Sequence, residues 1–271
     1  MSPEDGQPRY LLGEDAGERD RLKLQDRFFA VPTDEGLRRA GLLPGHRVLD
    51  LGCGVGDVTL AAASIVGATG SVLGVDRSSK AVDDANARIA SRGFASARCV
   101  VGEIEGMDLG NFDAIVGRFI LMHLYDPEAF VCHLRRTATP GTLLAFFEMD
   151  LTSASSTPPL PLFSEGLDGI LSVYRAGGVE PDMGSRLYGA FRGAGLRPEL
   201  KAWCHVTGSD ESEPFDFLAG TLSSLAPALR EAGLMRSELE PGVYGDALKT
   251  SAASGTYCLQ FPRLVGAWAR A

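Results

Sequence analysis

Three glycines and a few carboxylates carry the densest chemical information in this chain. Val48-Leu49-Asp50-Leu51 runs directly into Gly52-Cys53-Gly54-Val55-Gly56, and Asp57 follows. A short apolar run ending in Gly-x-Gly-x-Gly reads as a buried strand, a tight turn and a helix start. Glycines suit such a turn because a ligand can approach the backbone without meeting Cβ atoms. In an open α/β sheet the turn sits at the carboxyl end of the first strand, where ligands bind. A dinucleotide fingerprint needs glycines at 52, 54 and 57, and position 57 is Asp. A helix N-terminus that grips pyrophosphate offers bare N–H groups and positive potential. An Asp there is expected to consume those donors and repel phosphate. S-adenosylmethionine carries no phosphate, so the turn favours it over NAD.

The next candidates lie at the ends of later apolar runs. Asp76 closes Ser71-Val72-Leu73-Gly74-Val75-Asp76, with Arg77 beside it. A carboxylate there can accept both ribose hydroxyls of an adenosine. Glu103, after Val101-Gly102, can accept from an adenine amino group, and Ile104 can pack on the ring. Arg118, in Arg118-Phe119-Ile120-Leu121-Met122-His123-Leu124, can neutralise a cofactor carboxylate. His123 can act as a general base, because an ordinary imidazole titrates near neutrality. Glu148 and Asp150, in Phe146-Phe147-Glu148-Met149-Asp150, share a face if the chain stays extended. Glu148 is the better candidate to orient an acceptor or remove its proton; Asp150 reads equally well as a loop or cap carboxylate. His133, beside Arg135 and Arg136, reads as part of a solvated helix face.

These residues need a scaffold that brings strand ends together. Residues 18–29 have the spacing of an amphipathic helix, and Thr33-Asp34 can cap a second one running to Ala40. Apolar strands are expected at 47–51, 71–76, 98–102, 112–117 and 142–148, with helices at 57–66, 79–91 and 126–138. Alternation of this kind gives a mostly parallel, doubly wound sheet covered on both faces. After Asp150 the composition shifts. Residues 151–161 are rich in Ser, Thr and Pro and read as a loop. Helices are expected at 162–178, 184–194, 214–221 and 227–232, and strands near 199–206 and 256–261 complete seven. The expected division is an N-terminal helical cap (1–42), a Rossmann-like cofactor-binding core (43–150) and a region (151–271) that completes the sheet and inserts a substrate cap or lid. Tyr174, Tyr188, Trp203, Phe215, Phe217 and Phe261 can line a pocket for a flat or greasy acceptor.

The acidic balance, 35 Asp and Glu against 26 Lys and Arg, gives a formal charge of −9. No basic stripe suits nucleic acid or an anionic membrane, and no apolar run approaches the roughly 20 residues that span a bilayer. The first 20 residues lack the apolar centre of a secretory signal, so a cytoplasmic protein is expected. Five scattered cysteines and four histidines offer no metal-ligand spacing, and free buried thiols are expected.

Together, the segments at 48–56, 72–76, 112–118 and 140–142 resemble the class I S-adenosylmethionine-dependent methyltransferases. The similarity is greatest to the bacterial small-molecule branch related to the ubiquinone/menaquinone C-methyltransferases. Leu264-Val265-Gly266-Ala267-Trp268-Ala269-Arg270 also fits that branch. The resemblance implies a cofactor-binding set of Tyr10, Gln25, Asp50, Gly52, Cys53, Gly54, Gly56, Asp76, Arg77, Glu103, Ile104 and Arg118. The glycine loop would lie under the methionyl part, and Tyr10 and Gln25 would fold over the cofactor. Glu103 departs from the commoner Asp. His123 and Glu148 are the catalytic candidates, and S-adenosylhomocysteine would be the product. The expected activity is methylation of a small aromatic or apolar metabolite at carbon, oxygen or nitrogen, such as an indole or phenol. A homodimer is compatible with this reading. The rival readings are an NAD-dependent oxidoreductase and a non-catalytic S-adenosylmethionine binder.

Overall fold

The structure, a computed structural model, describes residues 16–271 apart from positions 106 and 108. It opens on α1 (Ala16–Arg39), which corrects the expectation of two helices parted at Thr33. The helix continues through Pro32, and the Thr33 hydroxyl donates to the Phe29 carbonyl one turn back (2.6 Å) rather than capping a new helix. Pairs of Asp34 with Arg38 (2.8 Å) and Glu35 with Arg39 (2.7 Å) support its last turns. Each places the acid four residues before the base, the favourable order on a helix.

The alternating section follows the apolar runs: β1 (Arg47–Leu51), α2 (Asp57–Val66), β2 (Ser71–Asp76), α3 (Ser79–Ser91), β3 (Ala97–Val101), β4 (Ala114–Arg118), α4 (Pro127–Thr137) and β5 (Leu143–Asp150). Side chains set two of the helix starts. The Ser78 hydroxyl accepts from the Ala81 N–H, and Asp126 accepts from the Ala129 N–H, with Pro127 opening α4. Every residue of β5 is buried, as a strand covered on both faces requires.

The second half holds β6 (Ser155–Thr157), α5 (Pro161–Ala176), α6 (Met183–Gly193), β7 (Glu199–Trp203), β8 (Val206–Gly208), α7 (Glu213–Glu231), α8 (Tyr244–Ala253), β9 (Cys258–Gln260) and β10 (Arg263–Arg270). The main sheet has seven strands in the order β3-β2-β1-β4-β5-β10-β7, and β10 runs antiparallel to both neighbours. The doubly wound α/β class is as expected, but its seventh strand is not near 256–261. Phe261-Pro262 breaks the chain there, since Pro cannot donate to a ladder. Residues before the break enter a small antiparallel sheet, β6-β9-β8, and residues after it form β10. The expected loop at 151–161 likewise contains β6. The two short helices expected at 214–221 and 227–232 are one, because α7 runs through Pro227.

α1 lies on the face of the sheet, against β5, β7 and β10, at Gly36. A Cβ there would sit 2.2 Å from Cε1 of Phe147 and 3.1 Å from Cη2 of Trp203, so only glycine lets the backbone come so close. Glu35 pins the same contact, accepting from Lys201 Nζ (2.6 Å) and Trp203 Nε1 (2.8 Å). Further along, Phe28 of α1 stacks on Phe261 (centroids 5.0 Å apart) and meets Phe217 of α7 edge-on (5.7 Å). α1 therefore bridges the sheet and the second half.

Candidate active site

The strand order reverses between β1 and β4, and a cavity of about 470 Å³ opens at the carboxyl ends of these strands. Gly52, Gly54 and Gly56 all have positive φ, at 67°, 49° and 86°. The three face different surroundings. A Cβ on Gly52 would lie 2.5 Å from Cδ1 of Ile120, and one on Gly56 would lie 3.0 Å from Cβ of Ala85. A Cβ on Gly54 would meet nothing within 4 Å, because Gly54 presents its bare backbone to the cavity. The N–H groups of Gly52 and Cys53 both donate to the Val75 carbonyl, at 2.9 and 3.0 Å, which anchors the loop to β2.

Asp76 lines the same cavity, with Oδ2 accepting from the Gly54 N–H (2.8 Å) and Oδ1 from the Ser78 N–H (2.9 Å). Each oxygen keeps an unused lone pair, and both are held in place by backbone. Arg77, Glu103 and Ile104 line the wall beside it, and Gln25 reaches the cavity from α1. Tyr10 lies outside the described residues.

Arg118 also lines the cavity, and its guanidinium is shared. It contacts Asp57 Oδ2 (3.0 Å) and Thr33 Oγ1 (3.0 Å), while Arg88 holds Asp57 Oδ1 (2.7 Å). This corrects the electrostatic reason given for disfavouring phosphate. Asp57 caps nothing, since Gly56 occupies the N-cap, and two guanidiniums compensate its charge.

The opposite wall is apolar. Met122 and Leu124 after β4, Met149 and Leu151 at the end of β5, Phe163 and Ile170 of α5, Phe217 of α7 and Phe261 form it. Of the expected aromatics, Tyr174, Phe217 and Phe261 are there. Tyr188 is exposed, Phe215 is buried in the core and Trp203 packs on Phe147, so these three do not line the cavity. His123 keeps part of its ring open to the cavity. Burial, with smaller contributions from Arg77 and Arg21, lowers its pKa to about 4, so its imidazole is neutral at physiological pH.

Two expected site residues point elsewhere. Asp50 is fully buried and accepts from the Thr59 hydroxyl of α2 (2.6 Å); burial lifts its pKa to about 7. Glu148 is fully buried too. Its Oε1 accepts from the N–H groups of Ile120 (3.0 Å) and Leu121 (2.8 Å), and burial pushes its pKa up to about 8. Neither lines the cavity, because each strand end turns its carboxyl inward under the loop that follows. Glu148 is therefore displaced as a general base. Asp150 accepts from Thr152, Ser185 and Arg263, each at 2.6 Å, and ties loops together.

The sequence reading missed Arg21, whose side chain is 4% exposed and lines the cavity between Gln25 and Phe217. Its four-residue spacing from Gln25 was the available signal. It also missed Ile120, the floor beneath Gly52, for which no sequence signal existed.

Comparison with known proteins agrees with this geometry. Residues 42–161 match the methyltransferase domain family. The arsenite methyltransferase of Aquipseudomonas alcaligenes is 37% identical over 123 residues, covering 42% of this chain and 36% of that protein. The 2-phytyl-1,4-naphtoquinone methyltransferase of Synechococcus elongatus is 35% identical over 111 residues (39% of this chain, 47% of that protein). The chain thus spans between about a third and a half of these relatives. Among solved structures, a protein from Bacillus halodurans aligns with a TM-score of 0.59 at 18% identity, covering 89% of this chain and 98% of its own. A [4+2]-cyclase shares the fold with a TM-score of 0.51 at 18% identity, covering 88% and 80%. Residues 42–161, which carry the glycine loop and Asp76, are thus similar to a methyltransferase domain.

Proposed function

We propose that the protein transfers the methyl group of S-adenosylmethionine to a small apolar or aromatic metabolite. The observation that carries this reading is one cavity with two unlike walls. A bare glycine backbone and a fixed carboxylate stand on one side, and hydrocarbon stands on the other. The open face at Gly54 fits a ligand pressed against backbone. Asp76 would take the ribose hydroxyls, Glu103 and Ile104 would frame adenine, and Arg77 would border them. Gly52, Cys53 and Gly54 would cradle the methionyl part, while Gly56, expected to join them, does not line the cavity and instead packs against Ala85. Arg118, with Gln25 and the newly found Arg21, would face its charged end.

The cofactor, when bound, supplies an activated methyl on a sulfonium. This chain's own contribution is alignment and exclusion of water. The apolar wall would hold the acceptor by burial, and hydrocarbon around it leaves few donors to solvate a nucleophile. His123, neutral at physiological pH, can accept a hydrogen bond from the acceptor and orient it. Its low basicity suits orientation better than abstraction of a weakly acidic proton.

Isothermal titration with S-adenosylmethionine, S-adenosylhomocysteine and NAD side by side tests the cofactor. Binding of the first two and not the third is expected, and NAD binding alone would overturn the reading. A labelled-methyl assay over phenols, indoles and amines then tests transfer. Binding without transfer to any acceptor class would favour a non-methylating use of the fold.

A further inference from the structure

The turn after β4 has an unusual backbone. Phe119 has φ 57°, the only positive φ at a non-glycine residue among the described residues. Its N–H continues the sheet, donating to the Phe147 carbonyl (3.0 Å). Ile120 then returns to right-handed backbone, at φ −111° and ψ −43°. A left-handed residue followed by a right-handed one turns successive N–H groups towards a common point, the backbone nest that gathers an acceptor oxygen. Here that oxygen is Oε1 of Glu148, which takes the N–H groups of both Ile120 and Leu121.

What the nest holds is functional surface. The Ile120 side chain lies beneath Gly52, where its Cδ1 stands 2.5 Å from the site of an added Cβ. Met122, His123 and Leu124 follow within one short turn and face the cavity. One buried oxygen therefore fixes both the floor of the glycine loop and the direction of His123.

We infer that Glu148 is a positioning residue, whose Oε1 holds the turn at Phe119–Leu121 so that Ile120 supports the glycine loop and His123 faces the cavity. Reach and an acceptor oxygen are what the role demands; a charge is not. A glutamine keeps both. An aspartate keeps the carboxyl but draws it back by one methylene. The inference builds on the proposed site only in using S-adenosylhomocysteine as a probe.

The test compares Glu148→Gln with Glu148→Asp in the full-length protein. Two quantities are read: the affinity for S-adenosylhomocysteine by calorimetry, and the titration of the His123 ring by NMR in the absence of ligand. Glu148→Gln is expected to leave affinity within about twofold and the His123 titration near that of the parent. Glu148→Asp is expected to weaken binding by about tenfold and to move the His123 titration towards the ordinary imidazole value of 6.5. The reverse pattern, with Asp harmless and Gln damaging, would overturn the inference in favour of a charge. Two silent substitutions would overturn it outright. So would equal losses tracking a fall in melting temperature, which would mean packing alone. If the parent protein fails to bind S-adenosylhomocysteine, the cofactor reading falls, while the His123 titration still decides the role of Glu148.

Discussion

The two walls of the cavity are built by different means. The cofactor-side wall is backbone and charge: three left-handed glycines, an aspartate held by two N–H groups, and the Asp57–Arg88–Arg118 cluster. Its carboxylates and guanidiniums are held by hydrogen bonds and ion pairs. The acceptor-side wall is made of side chains from α5, α7 and the β5 end, with little polar fixing. Shape governs the second wall and hydrogen-bond geometry the first, so the two should respond differently to substitution.

The largest effect is expected at Gly54. A Gly54→Val substitution puts a branched side chain into the open face and forces a β-branched residue to φ 49°. Calorimetry should find no binding of S-adenosylhomocysteine, with a stability loss of about 1–2 kcal/mol from the left-handed backbone. Retained binding would mean that the ligand does not press on the loop.

Asp76→Ala should weaken cofactor binding by about 1–3 kcal/mol, the range for hydrogen bonds to a charged group, or roughly 5- to 150-fold. Unchanged affinity would remove Asp76 from the site. On the other wall, Ala154 lines the cavity just before β6, and Ala154→Trp should leave S-adenosylhomocysteine affinity within about twofold, since distant sites act independently. The same change should cut methyl transfer to an acceptor by about tenfold or more. Loss of both together would show that the two walls do not divide the work.

The smallest effect is on pH dependence. Between 4.5 and about 8 the unfolded chain has released the proton that folded Glu148 keeps, so this group lowers stability as pH rises. Asp50 acts in the same direction between 3.8 and about 7. His123 acts oppositely between about 4 and 6.5, where the unfolded imidazole binds the extra proton. Above pH 6.5 only the falling contributions of these three persist. Relative to Glu148→Gln, the parent's melting temperature should therefore decline from pH 6.5 to 8. A decline unaltered by the substitution would contradict the assignment to Glu148.

The same contrast explains what was legible beforehand. The glycine loop, Asp76 and the alternating strands could be read because each is dictated locally, by φ, by strand ends and by apolar runs. Asp50 and Glu148 misled because type and strand-end position do not reveal which way a carboxyl turns. Glu148 turned inward because Phe119 adopts a conformation that its sequence does not announce. β10 was displaced from its expected place because Pro262 separates two strands that belong to different sheets. The acceptor wall was least legible, since its residues meet only through tertiary packing. Phe215 and Phe217 are neighbours of one residue type in one helix, yet one is core and the other faces the cavity.

Asp150 and Arg263 stand opposite each other where β5 ends and β10 begins, and their side chains are joined at 2.6 Å. The chain leaves the sheet's middle and rejoins it at one clasp. Most of the acceptor wall lies on the excursion between these two points, whereas the glycine loop and Asp76 precede it. Insertions, deletions and exchanges within α5, α7 and α8 can accumulate there without disturbing the register of β1, β2 and β4. On the proposed reading, such an arrangement would let the acceptor change while the methyl donor stays the same.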